Sequence, residues 1–500
     1  MESGFNQPQR QSSIGVLVMF FDTIRQFAKA FWPFLLLWIF KLDQMDKVWL
    51  LIGFLVLLAV IGIAAYLKYY NFTFHIDTEN DEFIINDGVF NKTKTAIRLD
   101  RIQQVNINQS LIQRIIGVYA VDVDTAGSAK KEGKINAVSH GLALALKARL
   151  VENDKIKTED VQQPLPEVGT GASDQPFLKI SFLSLLKVGI TSNYIRSIGL
   201  ILAFLVTIID NLRQLSEYDA INEDSVEAYF DQQLIGQSVA IIIAALFVIV
   251  LVINVVRIIF KFYGFQVAKQ TGSLLLTFGL LSTKSTILRP VRVQIAIITQ
   301  NFFQKKLDIS ELRIKQAGVT DERHEKNSHL DIPGCDTQER NDLLKLIFGQ
   351  IPQRGLMLKP NFRKLAFSIF LAIVIPLTIF FTIANDENLL LNYIWAAVLY
   401  AVFVGCILFF SFRNYRLFVS DRFIIKQSGA WDISNEIIDT GKIQAISTSQ
   451  LFWHKSINIG TLTVHTAGGN IKFDLGNYNT IKECVNLWLY RIETSDSNWM

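Results

Sequence analysis

His324, His329, Asp331 and Cys335 are side chains of the kinds that bind a transition metal, and they fall within twelve residues of one another. Their spacing matches no standard zinc pattern, and the charged run around them, Asp321–Asp331, reads as a solvated loop. Ser184-Leu-Leu-Lys187 has the interval of a serine nucleophile and its lysine base, but no partner motif accompanies it, so a helix face is the expectation. The three cysteines, Cys335, Cys406 and Cys484, lie at least 71 residues apart, with no ligand spacing; they suit thiols kept reduced or buried. A glycine-rich phosphate loop, a nucleophile elbow and a paired-carboxylate pattern are all missing from the sequence. No catalytic, cofactor-binding or metal residue is expected, and the chain does not read as an enzyme.

The residues that do recur are glutamines and glycines. Gly88 is followed by Arg101-Ile102-Gln103, Gln109 and Ala126-Gly127; Gly279 by Arg292-Val293-Gln294, Gln300 and Ala317-Gly318; Gly429 by Lys442-Ile443-Gln444, Gln450 and Ala467-Gly468. The intervals of 15, 21 and 39 residues from the first glycine are identical in the three copies, so forty residues align three times without a gap. A glutamine amide both donates and accepts, which leaves a functional role open. The structural reading, in which Gln103, Gln294 and Gln444 satisfy backbone groups at a strand end or bulge, is preferred because diverged copies all retain them. The glycines suit tight turns or close backbone approach. The second copy departs with Pro290 for Leu99 and Asp308 for Gly117, which suggests domains that are not interchangeable.

The elements that position these residues follow from periodicity. Phe72, Phe74 and Ile76 alternate with polar residues, as do Leu462 and Val464, which predicts strands. Each copy then closes on a helical pattern, Ala137–Leu150, Glu339–Phe348 or 479–492. Short strands followed by one amphipathic helix point to a small half-open barrel capped by that helix.

Between the copies the composition changes. The 500 residues are 50% hydrophobic and 19% charged, against about 25% charged in soluble domains, and mean hydropathy is +0.29. Uncharged runs at Ala30–Phe40, Val48–Leu67, Ser197–Ile209, Ser238–Val256, Leu365–Asn385 and Leu389–Phe412 predict three transmembrane hairpins; the first and third runs reach spanning length only if a flanking Lys29 or Arg196 extends to the headgroups. Lysines and arginines flank the hairpins (Arg25, Lys29, Lys68; Lys179, Lys187, Arg196, Arg257, Lys261; Lys359, Arg363, Lys364, Arg413, Arg416), whereas the hairpin loops hold Lys41, Lys47 and Arg213. That asymmetry places the termini and the mixed segments in the cytoplasm. Cys335 and Cys484 should then be cytoplasmic and Cys406 within the bilayer. The first fifteen residues show no cleavable signal. Val16–Phe27 and Phe177–Leu186 read either as interfacial helices or as plain extensions of the spans. The loop Asp210–Gln237, with seven carboxylates and Arg213, is expected to be an exterior contact surface.

Paired transmembrane helices followed by a strand-rich unit bearing [Arg/Lys]-[Ile/Val]-Gln and a later Ala-Gly resemble the bacterial membrane-flanked PH-like domain family, of the YdbS/YdbT type with three copies. The resemblance runs from about Ile14 to Glu493. It implies an α+β membrane protein in which each transmembrane helical hairpin is followed by a cytoplasmic PH-like half-open β-barrel of roughly seven strands plus a C-terminal helix. The boundaries expected are an interfacial helix and first hairpin over 14–67, PH-like domain 1 over 68–151, a Pro/Gly-containing flexible linker over 152–176, hairpin 2 over 177–256, domain 2 over 257–349, hairpin 3 over 358–412 and domain 3 over 413–496. The family implies no defined activity. The first hairpin loop, Asp77–Glu82, has four acidic and no basic residues, and the other two copies offer Lys269 and Arg422 alone, so phosphoinositide binding is not expected. A net charge of +4 does not suit nucleic acid. The expectation is a non-enzymatic scaffold or adaptor in the bacterial plasma membrane without cofactors. Its partners are the bilayer and other membrane or cytoplasmic proteins, a smaller one-domain paralogue or a homo-oligomer among them. The alternative is a transport or export component whose helices form a passage.

Overall fold

The computed structural model describes residues 5–40, 47–89, 91–125, 133–152, 177–192, 199, 207, 232–270, 272–317, 329–385 and 390–494. The span expected at Ser197–Ile209, the linker 152–176 beyond Glu152, most of the loop Asp210–Gln237 and the charged run up to Asn327 lie outside these residues. Within them, each repeat is built the same way: one short strand, apolar helices, six strands and a closing helix.

The first repeat opens with β1 (Gln9–Arg10), then helices Gly15–Phe40 and Lys47–Asn71, then β2 (Thr73–Asp77), β3 (Glu82–Asp87), β4 (Thr93–Arg98), β5 (Ile102–Gln109), β6 (Tyr119–Thr125) and β7 (Gly133–Val138), and closes on helix His140–Glu152. The second has β8 (Leu178–Lys179), helices Phe182–Thr191 and Gln232–Phe262, β9 (Gln266–Gln270), β10 (Ser273–Phe278), β11 (Thr283–Leu288), β12 (Val293–Gln300), β13 (Ser310–Gln316), β14 (His329–Cys335) and helix Thr337–Phe348. The third has β15 (Leu356–Leu358), a helical run over 363–385, helix Leu390–Asn414, β16 (Arg416–Val419), β17 (Phe423–Ser428), β18 (Ile433–Asp439), β19 (Ala445–Ser449), β20 (Ile459–Thr466), β21 (Gly469–Asn477) and helix Tyr478–Thr494.

Three of these assignments refine the expectations from sequence. Ala137 and Val138 belong to strand β7 rather than to the closing helix, because Val138 pairs with Tyr119. Val16–Phe27 is no separate interfacial segment: it is the first part of one helix, Gly15–Phe40, whose Val18 and Met19 are buried. The first strand of each repeat precedes its apolar helices, so β1 pairs with β2 (Arg10 with Thr73) across the whole length of two helices.

The chain divides into two compact units. Unit 1 is Met1–Leu178, Phe265–Arg289 and Gly318–Asn327; unit 2 is Lys179–Gly264, Pro290–Ala317 and Ser328–Met500. The second repeat is therefore shared, its β9–β11 in the first unit and its β12–β14 in the second. In unit 1, one sheet runs β1-β2-β3-β4 and another runs β7-β6-β5-β11-β10-β9, with β8 at its edge. A core of Phe72, Phe74, Ile76, Phe83, Val105, Val121, Val123, Ile135, Leu146 and their neighbours fills the first repeat from strands β2–β7 and the closing helix. Unit 2 repeats the arrangement with a sheet β14-β13-β12-β18-β17-β16-β15 and a last sheet β19-β20-β21. Its core joins Leu417, Ile424, Ile438, Leu462, Val464, Ile471 and Phe473 to Ile481, Cys484 and the fully buried Trp488 of the closing helix.

Three helices are long and apolar enough to cross a bilayer, Ala244–Phe262, Arg363–Thr382 and Ile394–Asn414, and Leu55–Asn71 is a shorter apolar helix, among the described residues. Of Ile394–Asn414 Ala397 alone is buried, and Phe367, Trp395 and Phe403 are each about two-thirds exposed. Helices that present bulky apolar side chains all round have lipid as their solvent. The third pair holds a π-helical turn at Phe370–Val374, just before Pro376. Proline has no N–H to give to the preceding turn. The Ala372 carbonyl, four residues back, accepts instead from the Tyr400 hydroxyl of the neighbouring helix at 2.8 Å.

Candidate functional site

The repeated residues fall at three kinds of place. Gly88, Gly279 and Gly429 have φ of +113°, +115° and +116°. At each, a Cβ would collide with a carbonyl oxygen three residues on, that of Asn91, Ser282 or Asp432. Only glycine suits that turn. The glutamines Gln109, Gln300 and Gln450 each end or follow a strand, and each donates from Nε2 to the backbone carbonyl nine residues later: to Val118 at 3.1 Å, Ile309 at 2.9 Å and Ile459 at 3.0 Å. The bond closes a loop containing one short helix, Leu111–Ile116, Phe302–Lys306 or Phe452–Lys455.

Sequence reading missed how those helices start. Ser110 with Gln113, and Asn301 with Gln304, form capping boxes in which each side chain accepts from, and each backbone donates to, the other residue. The signal was present as Ser/Asn-x-x-Gln directly after the repeated glutamine. The third copy has Leu451 and His454 there, no side-chain cap, and exposed Leu451, Phe452 and Trp453. Gly117, which follows the first short helix, and its equivalents Asp308 and Asn458 have φ of +78°, +50° and +51°. Asp308 thus keeps the conformation of Gly117, being one of the few residues that tolerate it. Pro290 likewise begins a 3-10 turn where Leu99 does, and a fixed φ suits a first helical position.

Gln103 lies in β5 at its start, outside the residues whose side chains are described, and Gly127 and Gly318 are outside the described residues altogether. Gln444 has an exposed side chain and donates its backbone N–H to His465 O. Gln294 is 1% exposed, and neither amide atom has a hydrogen-bond partner among the described residues. It packs on Gly468 of the next repeat, where a Cβ would come within 2.7 Å of the Gln294 Cβ. Signature residues of successive repeats therefore meet.

That contact belongs to a seam. Strand β12 of the second repeat pairs antiparallel with β18 of the third, from Ile295↔Ile438 to Gln300↔Ile433. Thr299 Oγ1 and Ser434 Oγ are 3.3 Å apart across it, and Ile295 and Ile297 enter the third repeat's core. Strand β5 of the first repeat pairs in the same way with β11 of the second, Gln109↔Thr283 to Ile107↔Ser285. By repeat alignment, Gln109 and Gln300 are equivalent, as are Thr283 and Ile433, so the two seams share one register. In both seams a sheet runs from one repeat into the next.

A second constellation ties domains to apolar helices. Lys261, at the end of helix Gln232–Phe262, lies 3.1 Å from Asp331 of β14, which Arg313 also holds at 2.9 Å. Partial burial raises the Asp331 pKa, but the charges of Lys261 and Arg313 and the Arg313 hydrogen bond outweigh it and hold the carboxyl below its ordinary value. Lys364, at the start of the third pair, lies 3.2 Å from Asp474 of β21 and 3.4 Å from the Tyr415 ring centroid. The Tyr415 hydroxyl donates to Lys472 O and accepts from the Asp474 N–H. Its burial pushes its pKa up, so it stays a phenol. Asn254, a polar residue of helix Gln232–Phe262, donates to Gly189 O and Ser192 O, at the end of helix Phe182–Thr191 where carbonyls lack intrahelical partners. Asn301 donates to Thr191 O, and Gln304 donates to Ser192 Oγ and Glu311.

These contacts absorb the residues that suggested chemistry. Asp331 is engaged by Arg313 and Lys261, with His329 at 3.7 Å. Cys335 is fully buried, which drives its thiol pKa up and keeps it unreactive. His324 is outside the described residues. Ser184 pairs with Ser181, the N-cap of its helix, at 2.9 Å. A cleft of about 480 Å³ separates Lys345, Gly349, Gln350, Ile351 and Gln353 from the 420–423 turn. Its Arg422 is bound to Asp439, and its Asp421 to Arg491.

What the arrangement offers is backbone pairing edges in each repeat and ionic anchors on the membrane helices of the second and third. The family of bacterial PH domains matches residues 33–154, 198–350 and 368–490. The chain belongs to the bacterial PH domain family. The short strands β1, β8 and β15 lie outside all three matched PH regions. A curated relative, the UPF0699 transmembrane protein YdbT of Bacillus subtilis (strain 168), is 24% identical over 399 residues, which cover 75% of this chain and 78% of the relative. The bacterial PH repeats and the apolar helices together make this a membrane protein of α+β class.

Proposed function

We propose that this bacterial PH protein is a non-enzymatic scaffold of the plasma membrane, with its PH-like domains and termini in the cytoplasm, each domain a half-open barrel carried on a helical hairpin. The observation that carries the reading is the seam: within each unit, a sheet edge of one repeat is joined strand to strand to the next repeat. The polar groups of the helices support it over a passage. Asn254 and Tyr400 are spent on backbone carbonyls of neighbouring helices, which leaves them no part in a wet lining. The signature glutamines and glycines serve the fold.

The test has two parts. Protein reconstituted in vesicles should pass neither ions nor small solutes, while affinity purification in mild detergent should retain specific membrane or cytoplasmic proteins. Measurable flux would overturn the scaffold. Orientation needs an engineered cysteine, because Cys335 and Cys484 are buried and would stay unlabelled on either side. Ser456→Cys is exposed and should react with an impermeant maleimide only after permeabilisation; reaction in intact cells would reverse the topology.

A further inference from the structure

The seam uses two kinds of edge. Each time, the fourth strand of one repeat's first sheet (β11 or β18) lies against the first strand of the preceding repeat's second sheet (β5 or β12). Three repeats contain three edges of each kind, but two seams use only two of each. Among the described residues, β4 pairs on one side only, with β3, and β19 on one side only, with β20. The first repeat thus keeps an open edge of one kind and the third an open edge of the other. We propose that β19 of one molecule pairs with β4 of a second copy of this chain, so that the protein assembles head to tail through a third seam of the kind it already contains.

The residues fit that pairing. Carrying the register of the β12–β18 seam onto the two open edges sets Gln450 opposite Lys92, Ser449 opposite Thr93, Ser447 opposite Thr95 and Ile446 opposite Ala96. Strand β19 carries no charge, so Lys92 and Lys94 meet no like charge on it. Lysine on an edge strand often guards it against pairing, yet Lys284 of β11 sits within a formed seam, opposite Asn108. The polarity of β19 is no bar either, since β5 pairs with Asn106 and Asn108 in it. The open strands show what pairing would cover. Ile295, Ala296 and Ile297 of β12 are buried in the existing seam, whereas Ala445, Ser447, Thr448 and Ser449 of β19 are exposed. Ala96 of β4 is exposed where its equivalent Ile437 in β18 is buried. Main-chain hydrogen bonds to an open sheet edge are a general mode of recognition, and two unlike edges on one chain make a contact that repeats from copy to copy. The inference rests on the scaffold reading only in naming a partner for it.

Cysteine pairs in the full-length chain test it, in a Cys406→Ser background because Cys406 is the exposed natural thiol. The pair Thr299→Cys with Ser434→Cys, where the hydroxyls are already 3.3 Å apart, should close within one chain on mild oxidation in membranes. The equivalent pair across the proposed seam, Thr93→Cys with Ser449→Cys, should instead give a ladder of dimers, trimers and larger species on non-reducing gels. Co-expressed single variants should stop at dimers. Moving one cysteine to the opposite face, as Lys94→Cys with Ser449→Cys, should abolish the ladder. A ladder equally strong for that pair would mark random collision and overturn the proposal, as would an internal cross-link of the Thr93–Ser449 pair, cross-linking to a different protein, or no cross-link at all. The flux and partner-capture results decide the scaffold reading independently.

Discussion

Two glutamines six residues apart, Gln294 and Gln300, do opposite things to the same strand. Gln300 holds the Ile309 carbonyl, so Gln300→Leu leaves that oxygen unpaired and should cost about 1–2 kcal/mol, visible as a fall of a few degrees in the melting midpoint of the detergent-solubilised protein. Gln294 is buried with both amide atoms unpartnered among the described residues. Gln294→Met removes that polar group at nearly constant volume and should leave the midpoint unchanged or raised; a loss as large as that of Gln300→Leu would show that Gln294 has a partner. Gly429→Ala meets both positive φ and the Asp432 carbonyl, and strain of that kind costs about 1–3 kcal/mol before the clash is counted. The glycine and glutamine spacings could be read directly because backbone conformation at a turn restricts residue type. The same logic explains the apparent departures. Asp308 and Asn458 share the left-handed φ of Gly117, a conformation that spacing alone cannot reveal when three residue types satisfy it.

Helices and strands are coupled at defined junctions, and these titrate. The Asp331 pKa is lower in the folded protein than its ordinary 3.8. A depressed carboxylate contributes stability that is full above its unfolded pKa and fades as pH falls through the folded one. Midpoints measured from pH 6 down to pH 3 should therefore drop less steeply for Asp331→Asn than for the parent, with the curves parallel above about pH 5. Equal slopes throughout would remove Asp331 from the acid response. In the third pair, Tyr400→Phe should cost about 0.6 kcal/mol, the typical worth of a hydrogen bond between membrane helices. Pro376→Ala, which restores a backbone donor near Ala372, should make Tyr400→Phe nearly silent; an unchanged penalty would mean that the hydroxyl does not serve that carbonyl. The apolar helices were legible by length and hydropathy alone. Strand β1 was not, since two residues carry no periodicity and their partner Thr73 lies beyond two helices. The ionic junctions were also hidden, because Lys364 and Asp474 are 110 residues apart and only the fold brings them together.

At the scale of the molecule, the repeat predicts three copies of one domain but not how a sheet is shared. Periodicity assigns a strand its faces; it says nothing of which edge lies beside which. The third repeat takes part of its stability from the second: β18 is paired along its length by β12, and Ile295 and Ile297 fill its core. Burying each isoleucine is worth about 1.5–3 kcal/mol, and the seam's main-chain hydrogen bonds add to that. A chain cut after Gln350, where the second match to the family also ends, severs one covalent bond and leaves every contact of this seam in place. Residues 1–350 and 351–500, expressed together as separate chains, should therefore associate in the membrane and co-purify. Asn435→Pro, in the middle of β18, removes a ladder donor and opposes strand pairing; carried by the smaller piece, it should reduce recovery by tenfold or more, since about 1.4 kcal/mol is a factor of ten in binding. The same piece expressed alone should melt well below the complex. Independent folding of 351–500, with full stability and no affinity for 1–350, would mean that the seam is a mere adjacency and that the repeats are separate domains after all.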